Sequence, residues 1–291
     1  MVDTTPKPTA WVLAGGGSFG AIQVGMLRAL VAHGLLPDLV VGSSVGAING
    51  AYFAGAPNAA GIAQLEAIWC GLHRSTVFPI AWRSMLGLGA SGGFAVDPSG
   101  LRGLLEQCLP YQTLEQASVP VHVVATDQLS GGTVAVSSGP AVDAVLASCA
   151  VPAVFPPVHL GERFLIDGAI ASNTPISVAV ELGARRVIVL PTGFACALDA
   201  PPRGAIGNAL HAVTLLIAHQ LASEFEQYHA AAEIIMVPPL CPLTASPYDF
   251  SHAGELIQRA AEQTQRWLEN DGLTREQVPL ALLAHGHSHS H

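Results

Sequence analysis

The sequence predicts an α/β fold in which helices cover both faces of a mainly parallel β-sheet. Half of its 291 residues are apolar and only 11% are charged, so the chain can bury a large core. Short apolar runs alternate along it with longer segments of helical spacing, and turns that contain glycine or proline separate them. Strands that alternate with helices imply crossover connections between parallel strands. Because no long linker or internal repeat interrupts this order, we expect one large domain.

The first 55 residues predict a strand–helix–strand–helix unit. An apolar run at residues 11–13 stops at three glycines, and residues 21–32 then carry apolar side chains at helical spacing. Gly34, just past this segment, supports a helix end there. A second strand is predicted at residues 39–41, and a second helix follows at residues 45–54 after a tight turn.

The middle of the chain predicts a helix and a hairpin. Asp97 and Pro98 suit an N-cap and the first helical position, and they open a helix that runs to Leu109. Two apolar strands, at residues 121–126 and 133–136, flank a Ser-Gly-Gly turn. The remaining predicted elements are helices at residues 141–149, 177–183, 205–228 and 254–268 and strands at residues 164–166, 187–190 and 234–237.

Composition restricts the classes of function. The formal net charge is −9, from 21 acidic and 12 basic side chains, and Lys7 is the only lysine. Such a chain offers no phosphate-binding face, which argues against a nucleic-acid partner. It contains no run of about 18 apolar residues and no N-terminal export signal, so we expect a cytoplasmic protein. The five cysteines lack the spacing of a zinc site or a disulfide scaffold and are expected to be reduced core residues.

The segment Gly42-Ser43-Ser44-Val45-Gly46 lies between the second predicted strand and the second predicted helix. A serine at such a junction occupies a sharp turn, which holds its hydroxyl over the carboxyl end of the strand and near the unpaired N–H groups of the helix. Glycines are needed on either side because neighbouring backbone passes too close for a Cβ atom. We therefore predict that Ser44 is a nucleophile; the alternative is a tight turn without chemistry.

The segment Gly15-Gly16-Gly17-Ser18-Phe19-Gly20 ends the first strand and opens the first helix. Successive glycines allow backbone N–H groups to converge on an anion, helped by the helix N-terminus. One anion that fits is the oxyanion formed when Ser44 attacks an ester. The alternative is a dinucleotide bound through Gly15-x-Gly17-x-x-Gly20. That fingerprint requires an acidic residue at the end of the second strand, whereas the nearest acid, Asp38, precedes the strand.

A serine nucleophile needs a base, and Asp167 is the better candidate. It closes the apolar strand at residues 164–166 and precedes Gly168. If the strands before Ser44 and Asp167 belong to one parallel sheet, both residues lie at the same edge of that sheet. The competing interpretation is a turn-forming Asp-Gly pair.

A Ser-Asp-His triad is the alternative catalytic arrangement. The histidines that follow suitable aspartates in the chain are His211, His219, His229 and His252. None of them lies in a glycine-rich loop after a predicted strand, and only two predicted strands precede Ser44, whereas an α/β-hydrolase nucleophile follows several. We therefore interpret these histidines as structural or surface residues.

Taken together and in this order, Gly15–Gly20, Gly42–Gly46 and Asp167-Gly168-Ala169 resemble the three motifs of the patatin-like phospholipase family. The similarity covers most of residues 10–240. The resemblance implies a three-layer α/β/α sandwich with a mainly parallel central sheet. It also implies a serine acyl hydrolase that uses a serine–aspartate dyad.

The resemblance assigns roles to the motif residues. Ser44 attacks the ester carbonyl to form an acyl-enzyme, and Asp167 accepts the serine proton. The residues whose backbone amides hold the oxyanion are Gly15, Gly16 and Gly17, and those that support the motifs are Gly20, Gly42, Gly46 and Gly168. Neither a metal nor an organic cofactor is implied. The expected partners are lipid or acyl-ester substrates, among them phospholipids, lysophospholipids and galactolipids, with transient contact with a membrane or micelle surface.

Phe19 departs from the family's pattern, because many members have arginine or lysine at this position. The backbone amides remain, but a contact for an anionic phosphate headgroup is lost. Esterase or lipase activity is therefore expected at least as much as phospholipase A or lysophospholipase activity. Such an enzyme works in the cytoplasm or at the periphery of a membrane.

The expected organisation is a flexible N-terminus at residues 1–9, one catalytic domain at residues 10–284 and a disordered His-rich tail at residues 285–291. Residues 71–96 combine glycine with large apolar side chains, which suits either a lid over a lipid-binding site or an ordinary surface loop.

Three classes of function remain open: a serine acyl hydrolase, a nucleotide-binding protein that uses the first glycine loop, and an inactive scaffold that retains the fold. Only the first gives a use to both Ser44 and Asp167.

Overall fold

The computed structural model describes residues 7–72, 97–193, 220–243 and 249–276, and the positions 208, 212, 216, 246 and 278–282. Four sequence predictions fall wholly or mainly outside this part of the chain. They concern the first six residues, the segment interpreted as a lid or loop, the start of the long helix after residue 204, and the His-rich tail.

A central mixed sheet organises the described residues. Its eight strands are β1 (Thr9–Leu13), β2 (Leu39–Ser43), β3 (Val121–Asp127), β4 (Thr133–Val136), β5 (Val158–Leu160), β6 (Arg163–Asp167), β7 (Arg186–Leu190) and β8 (Glu233–Met236). The strands β3, β2, β1, β7 and β8 lie side by side in that order and are parallel. The strands β4 and β6 both pair antiparallel with β3, and β5 pairs antiparallel with β6.

Helices follow most of the parallel strands. In chain order they are α1 (Gly20–Ala32), α2 (Val45–Gly55), α3 (Ala59–Gly71), α4 (Ser99–Cys108), α5 (Ala141–Ser148), α6 (Ala169–Ser172), α7 (Ile176–Glu181), α8 (described over residues 220–228) and α9 (Ala253–Glu269). None of the helices in the described ranges combines the length and the apolar character needed to cross a membrane.

Strand β1 shows why the fold has three layers. Successive side chains of a strand point to opposite faces of the sheet. Trp11 and Leu13 belong to an apolar cluster with α1, α2, α3 and α9, whereas Ala10 and Val12 belong to a second cluster with α7 and α8. All four side chains are fully buried, as expected for a parallel strand covered on both faces. The predicted α/β/α sandwich is therefore confirmed.

The outer helix α9 packs on α1, and its sequence explains that contact. Its buried residues recur every three or four positions, from Ala253 and Leu256 through Ile257 and Ala260, which gives one apolar stripe. Gly25 of α1 faces this stripe, and a Cβ atom there would overlap the backbone carbonyl of Ile257. The absence of a side chain thus lets the two helices approach closely.

Most predicted elements are confirmed, with ends that shift by one or two residues. The carboxylate of Asp97 accepts the Ser99 N–H over 2.8 Å at the start of α4, as the sequence predicts. Helix α3 is absent from the sequence-based prediction; it begins after Asn58, whose side chain accepts the Gly61 N–H over 3.0 Å. The expectation that the cysteines lie in the core is right for Cys149 and wrong for the exposed Cys70.

The expected parallel direction of the strand that ends at Asp167 is also wrong. Strand β6 runs antiparallel to β3, with Asp167 opposite Ala125. The apolar run Phe164-Leu165-Ile166 fits a strand in either direction, because strand direction is set by the neighbour with which it pairs.

Candidate active site

Ser44 occupies a strained turn between β2 and α2. Its φ and ψ are 53° and −125°, a combination that non-glycine residues rarely adopt and that often marks functional sites. A Cβ atom at Gly42 would overlap the backbone of Gly46, and a Cβ atom at Gly46 would overlap the carbonyl of Leu13. The two glycines are thus explained by close packing, and the serine lies at the N-terminus of α2.

The Ser44 hydroxyl donates a hydrogen bond of 2.8 Å to Oδ2 of Asp167. The register of the sheet explains how the two residues meet. Ser43 of β2 pairs with Val124 of β3, and Asp167 of β6 pairs with the next residue of β3, Ala125. Strand β4 also pairs with Val124 and Ala125. Since β4 occupies one edge of β3 at these residues, both β2 and β6 must pair along its other edge. The two strands run in opposite directions there, so their carboxyl ends face each other. The two residues come together, although not through the parallel pairing expected from the sequence.

Asp167 is a buried and well-held carboxylate. Only 3% of its surface is exposed, and Oδ1 accepts the Ala169 N–H over 2.8 Å. Burial disfavours its charged form and raises its pKa from 3.8 to about 6, although the hydrogen bonds from Ala169 and Ser44 lower the pKa in part. Its carbonyl accepts the Thr126 hydroxyl over 2.8 Å, and its N–H donates to Ala150 over 3.0 Å. A carboxylate with this pKa is a better proton acceptor than an exposed aspartate.

Ser148 ties the serine turn to the strand beside it. Its hydroxyl accepts the Ser44 N–H over 2.8 Å and donates to the carbonyl of Val124. Its own carbonyl accepts the Gly168 N–H over 3.1 Å. Gly168 passes so close to β3 that a Cβ atom would overlap the Val124 carbonyl. The backbone on both sides of the Ser44–Asp167 contact is therefore fixed by the same residue.

The triple-glycine segment lies beside Ser44. Gly15 donates its N–H to the carbonyl of Asn173 over 3.0 Å, so this amide is already engaged. Gly16 and Gly17 have φ values of 157° and 61°, which favour glycine. Within the described ranges, neither of their N–H groups donates to an acceptor. Of the three glycines assigned to an oxyanion hole, two retain N–H groups that are open to a ligand.

A cavity of about 220 Å³ opens at these residues. Its described wall includes Gly15, Gly16, Gly17, Ser44 and Asp167. Apolar side chains of α2, α3 and α4 line another part of the same cavity, which we call the apolar arm; they include Ile48, Leu65, Trp69, Leu101, Leu104 and Leu105. The residues described along this wall contain no arginine or lysine, and Phe19 is buried in it.

The alternative chemistries find little support among the described residues. No histidine in these ranges lines the cavity, and His229 and His252 lie on the exposed surface; His211 and His219 lie outside the described residues. Asp38 accepts the Thr9 N–H at the amino end of the sheet, away from the glycine loop. No group of three or more histidine, cysteine or acidic side chains in the described ranges is arranged to hold a metal ion.

Sequence reasoning missed Thr192 and Asn173 as members of this site. Thr192 donates its hydroxyl to the Gly15 carbonyl over 2.7 Å. The Asn173 Oδ1 atom is buried and has no hydrogen-bond partner in the described part of the chain. A hydroxyl residue two positions after the apolar strand β7 is the signal that points to Thr192, but its role depends on the pairing of β7 with β1.

Comparison with known proteins places the chain in a family. The sequence profile named patatin-like phospholipase matches residues 11–180, more than half of the chain. A patatin-like phospholipase domain-containing protein of Caenorhabditis elegans is 29% identical over 184 residues, which are 62% of this chain and 13% of the worm protein. An uncharacterized NTE family protein of Mycobacterium bovis is 28% identical over 173 residues, which are 57% of this chain and 27% of that protein.

Among solved structures, VipD from Legionella pneumophila is similar over 91% of this chain and 67% of its own, with 15% identity and a TM-score of 0.48. The chain spans only a small part of the length of the Caenorhabditis elegans and Mycobacterium bovis relatives. The match of the family profile over residues 11–180 shows that the chain belongs to the patatin-like phospholipase family.

Proposed function

We propose that the chain is a serine acyl hydrolase that cleaves carboxylic esters of lipids. The observation that carries the proposal is the 2.8 Å hydrogen bond from the Ser44 hydroxyl to a buried Asp167 carboxylate. The strained turn at Ser44, the open amides of Gly16 and Gly17 and the apolar arm add the other parts that ester hydrolysis needs. The family's name and the names of the relatives support a lipid as the source of the ester.

In the proposed first step, Asp167 accepts the hydroxyl proton of Ser44 as the serine oxygen attacks the ester carbonyl. The carbonyl oxygen becomes an oxyanion, which accepts hydrogen bonds from Gly16 and Gly17. When the tetrahedral intermediate collapses, the ester C–O bond breaks, the leaving alcohol takes the proton from Asp167, and an acyl-enzyme remains. In the second step Asp167 deprotonates a water molecule, whose oxygen attacks the acyl-enzyme. When the bond from the acyl carbon to the Ser44 oxygen breaks, Asp167 returns that proton to the serine oxygen, and the fatty acid and free Ser44 are released.

The roles of the remaining motif residues follow from their contacts. Gly42, Gly46 and Gly168 lie where neighbouring backbone leaves no room for a Cβ atom. Gly20 lies against the side chains of Val45 and Trp69, which a Cβ atom would overlap. These glycines support the site sterically rather than chemically.

The apolar arm favours a lipid acyl chain, and the missing cation at Phe19 favours esters without an obligatory phosphate contact. We therefore propose esterase or lipase activity alongside phospholipase A or lysophospholipase activity. The enzyme meets its substrate through transient contact with a membrane or micelle surface, as a protein of the cytoplasm or of the membrane periphery.

A fluorophosphonate probe and a substrate panel test the proposal. The probe is expected to label the wild-type chain on Ser44, and p-nitrophenyl esters and phospholipids then rank the substrates. Ser44→Ala should abolish labelling and turnover. Ser43→Ala is the matched control, because the Ser43 hydroxyl is buried and has no hydrogen-bond partner among the described residues. Binding of NAD(H) without labelling, or labelling that survives Ser44→Ala, would overturn the proposal.

A further inference from the structure

Thr192 holds the glycine loop from the side opposite Ser44. It lies two residues beyond the end of β7, and only 3% of its surface is exposed. Its hydroxyl donates to the Gly15 carbonyl over 2.7 Å; the Gly193 carbonyl, at 3.5 Å, is the longer alternative acceptor for the same proton. The shorter distance favours the bond to Gly15.

The order of the strands places the loop between two residues. Strand β1 pairs with β2 along one edge and with β7 along the other. Ser44 follows β2 directly, and Thr192 follows β7 after one intervening residue. The glycine loop that follows β1 is therefore flanked by Ser44 on one side and by Thr192 on the other.

The bond from Thr192 to the Gly15 carbonyl also fixes the direction of the Gly16 N–H. In a planar trans peptide the C=O and the next N–H point in opposite directions. Since Thr192 binds the Gly15 carbonyl on the β7 side, the N–H of Gly16 is turned toward the β2 side, where Ser44 lies. Gly16 also packs on Thr192 so closely that a Cβ atom at Gly16 would overlap the threonine side chain. Thr192 thus constrains both the carbonyl and the α-carbon beside this amide.

We propose that Thr192 is a positioning residue of the oxyanion hole, which fixes the direction of the Gly16 N–H toward the reacting ester. This inference rests on the proposed acyl hydrolase function. Thr192 does not itself donate to the substrate, because its single hydroxyl proton is used by the Gly15 carbonyl. Its contribution is realised when the oxyanion forms, so it should affect turnover more than substrate binding.

The variant Thr192→Val preserves the shape of the side chain and removes the hydroxyl. Loss of one oxyanion donor costs on the order of 10²–10³ in kcat, and we expect loss of its positioning bond to cost about 10–100-fold, with KM within about twofold. Thr192→Ser retains the hydroxyl and is expected to recover most of the activity. Thr264→Val is the matched control, since Thr264 is fully buried in α9 and its hydroxyl has no partner in the described ranges.

A pair of inhibitors separates orientation from general damage to the pocket. A trifluoromethyl ketone with an alkyl chain forms an oxyanion adduct with the serine, whereas an ether of the same chain length fills the pocket without an oxyanion. In Thr192→Val the affinity for the ketone should fall by the same factor as kcat/KM, while the affinity for the ether stays unchanged. Urea unfolding of each variant provides the check on folding.

Three results would overturn the inference: wild-type kinetics in Thr192→Val, equal losses of ketone and ether affinity, or a Thr192→Ser variant as impaired as the valine variant. These results leave the proposed function intact if the wild type hydrolyses esters and Ser44→Ala does not. A wild-type protein that neither hydrolyses esters nor reacts with a fluorophosphonate would overturn the function itself, and this inference with it.

Discussion

Ser44 and Asp167 lie at the facing ends of two strands that share one edge of β3, which brings residues 123 positions apart within 2.8 Å. The carboxylate is therefore fixed by the sheet rather than by a flexible loop. Thr126 and Ala150 hold its backbone, and Ala169 holds the carboxylate oxygen that does not bind the serine. One oxygen of Asp167 is structural, and the other is left for the proton of Ser44.

This arrangement predicts the effect of Asp167→Asn. The amide has nearly the shape of the carboxylate but cannot accept the serine proton, and general-base catalysis contributes about 10²–10⁴-fold. We expect kcat/KM for a p-nitrophenyl ester to fall by at least 10²-fold while the circular dichroism spectrum is unchanged. Retained activity in this variant, together with an inactive histidine variant, would indicate a triad instead.

The raised pKa of Asp167 predicts the pH dependence of turnover. A base must be deprotonated to act, and its pKa is raised to about 6 by burial. The rate constant kcat/KM should therefore rise about tenfold per pH unit below 6 and level off above it. Because a histidine base would give a similar curve, the profile should be repeated at several temperatures. The apparent pKa of a carboxyl group changes little on warming, and a marked fall would contradict the assignment.

The raised pKa of Asp167 also predicts that its charged form, which catalysis needs, destabilises the fold. The carboxyl pKa is 3.8 in its ordinary state and about 6 in the fold, so this group's contribution to stability is present below pH 3.8 and is lost as pH rises through 6. Relative to wild type, Asp167→Asn should thus gain about 2 kcal/mol more in the free energy of unfolding at pH 8 than at pH 4.5. Urea titrations at both pH values measure the difference.

Asp127 supplies a control of opposite sign. Hydrogen bonds from the Ser130 N–H and the Leu129 N–H lower the pKa of its carboxyl. Its contribution is therefore present above the ordinary pKa and is lost as pH falls through the lowered value. Asp127→Asn should lose stability relative to wild type at pH 8 and lose less at low pH. A response of the same sign in both variants would show that the pH effect does not come from the burial of Asp167.

The parts of the site that the sequence predicts are those with a local steric cause. A Cβ atom at Gly42 would overlap the backbone of Gly46 within the same turn, and Gly16 and Gly17 adopt backbone angles that favour glycine. Such constraints are visible in a single sequence. The alternation of strands and helices likewise predicts the layers, because burial of β1 on both faces requires a continuous apolar run.

The parts that the sequence does not predict depend on pairing between distant segments. The direction of β6 is set by its partner β3, and the role of Thr192 arises from the position of β7 beside β1. Helix α3 has a different cause: it combines alanine and glycine with apolar residues that face both the core and the cavity, so its amphipathic pattern is weak. The direction of β6 and the position of Thr192 follow from contacts between distant segments, which no local pattern encodes.

A hydrogen-bonded network of buried polar side chains predicts the effect of a core substitution on the free energy of unfolding. Gln23 donates to the carbonyls of Ala14 and Leu190, over 2.8 and 2.9 Å. Asn49 donates to Gln23 over 2.9 Å and accepts the indole N–H of Trp69 over 2.9 Å. Asn49→Leu leaves these groups unpaired in the core and should cost about 2–4 kcal/mol in the free energy of unfolding.

The control for this change is Asn58→Ala, which removes the cap of α3 and should cost about 1 kcal/mol. Urea unfolding of both variants at one pH gives the comparison. Equal losses of unfolding free energy in the two variants would mean that the buried network rearranges or admits water. The network would then contribute no more to stability than the exposed cap.

The apolar arm between α2, α3 and α4 predicts the substrate's chain-length dependence. Leu104 lines the arm, and a tryptophan in its place would fill space that a long acyl chain needs. Leu104→Trp should reduce kcat/KM for p-nitrophenyl decanoate at least tenfold and change that for the acetate by less than about twofold, because each buried CH₂ contributes about 0.8 kcal/mol. Glu106→Trp places the same side chain at an exposed position of the same helix and should leave both substrates unaffected. Equal losses on the two esters in Leu104→Trp would show that the arm does not hold the acyl chain, and would move that role to the part of the cavity near Asn173 and Thr192.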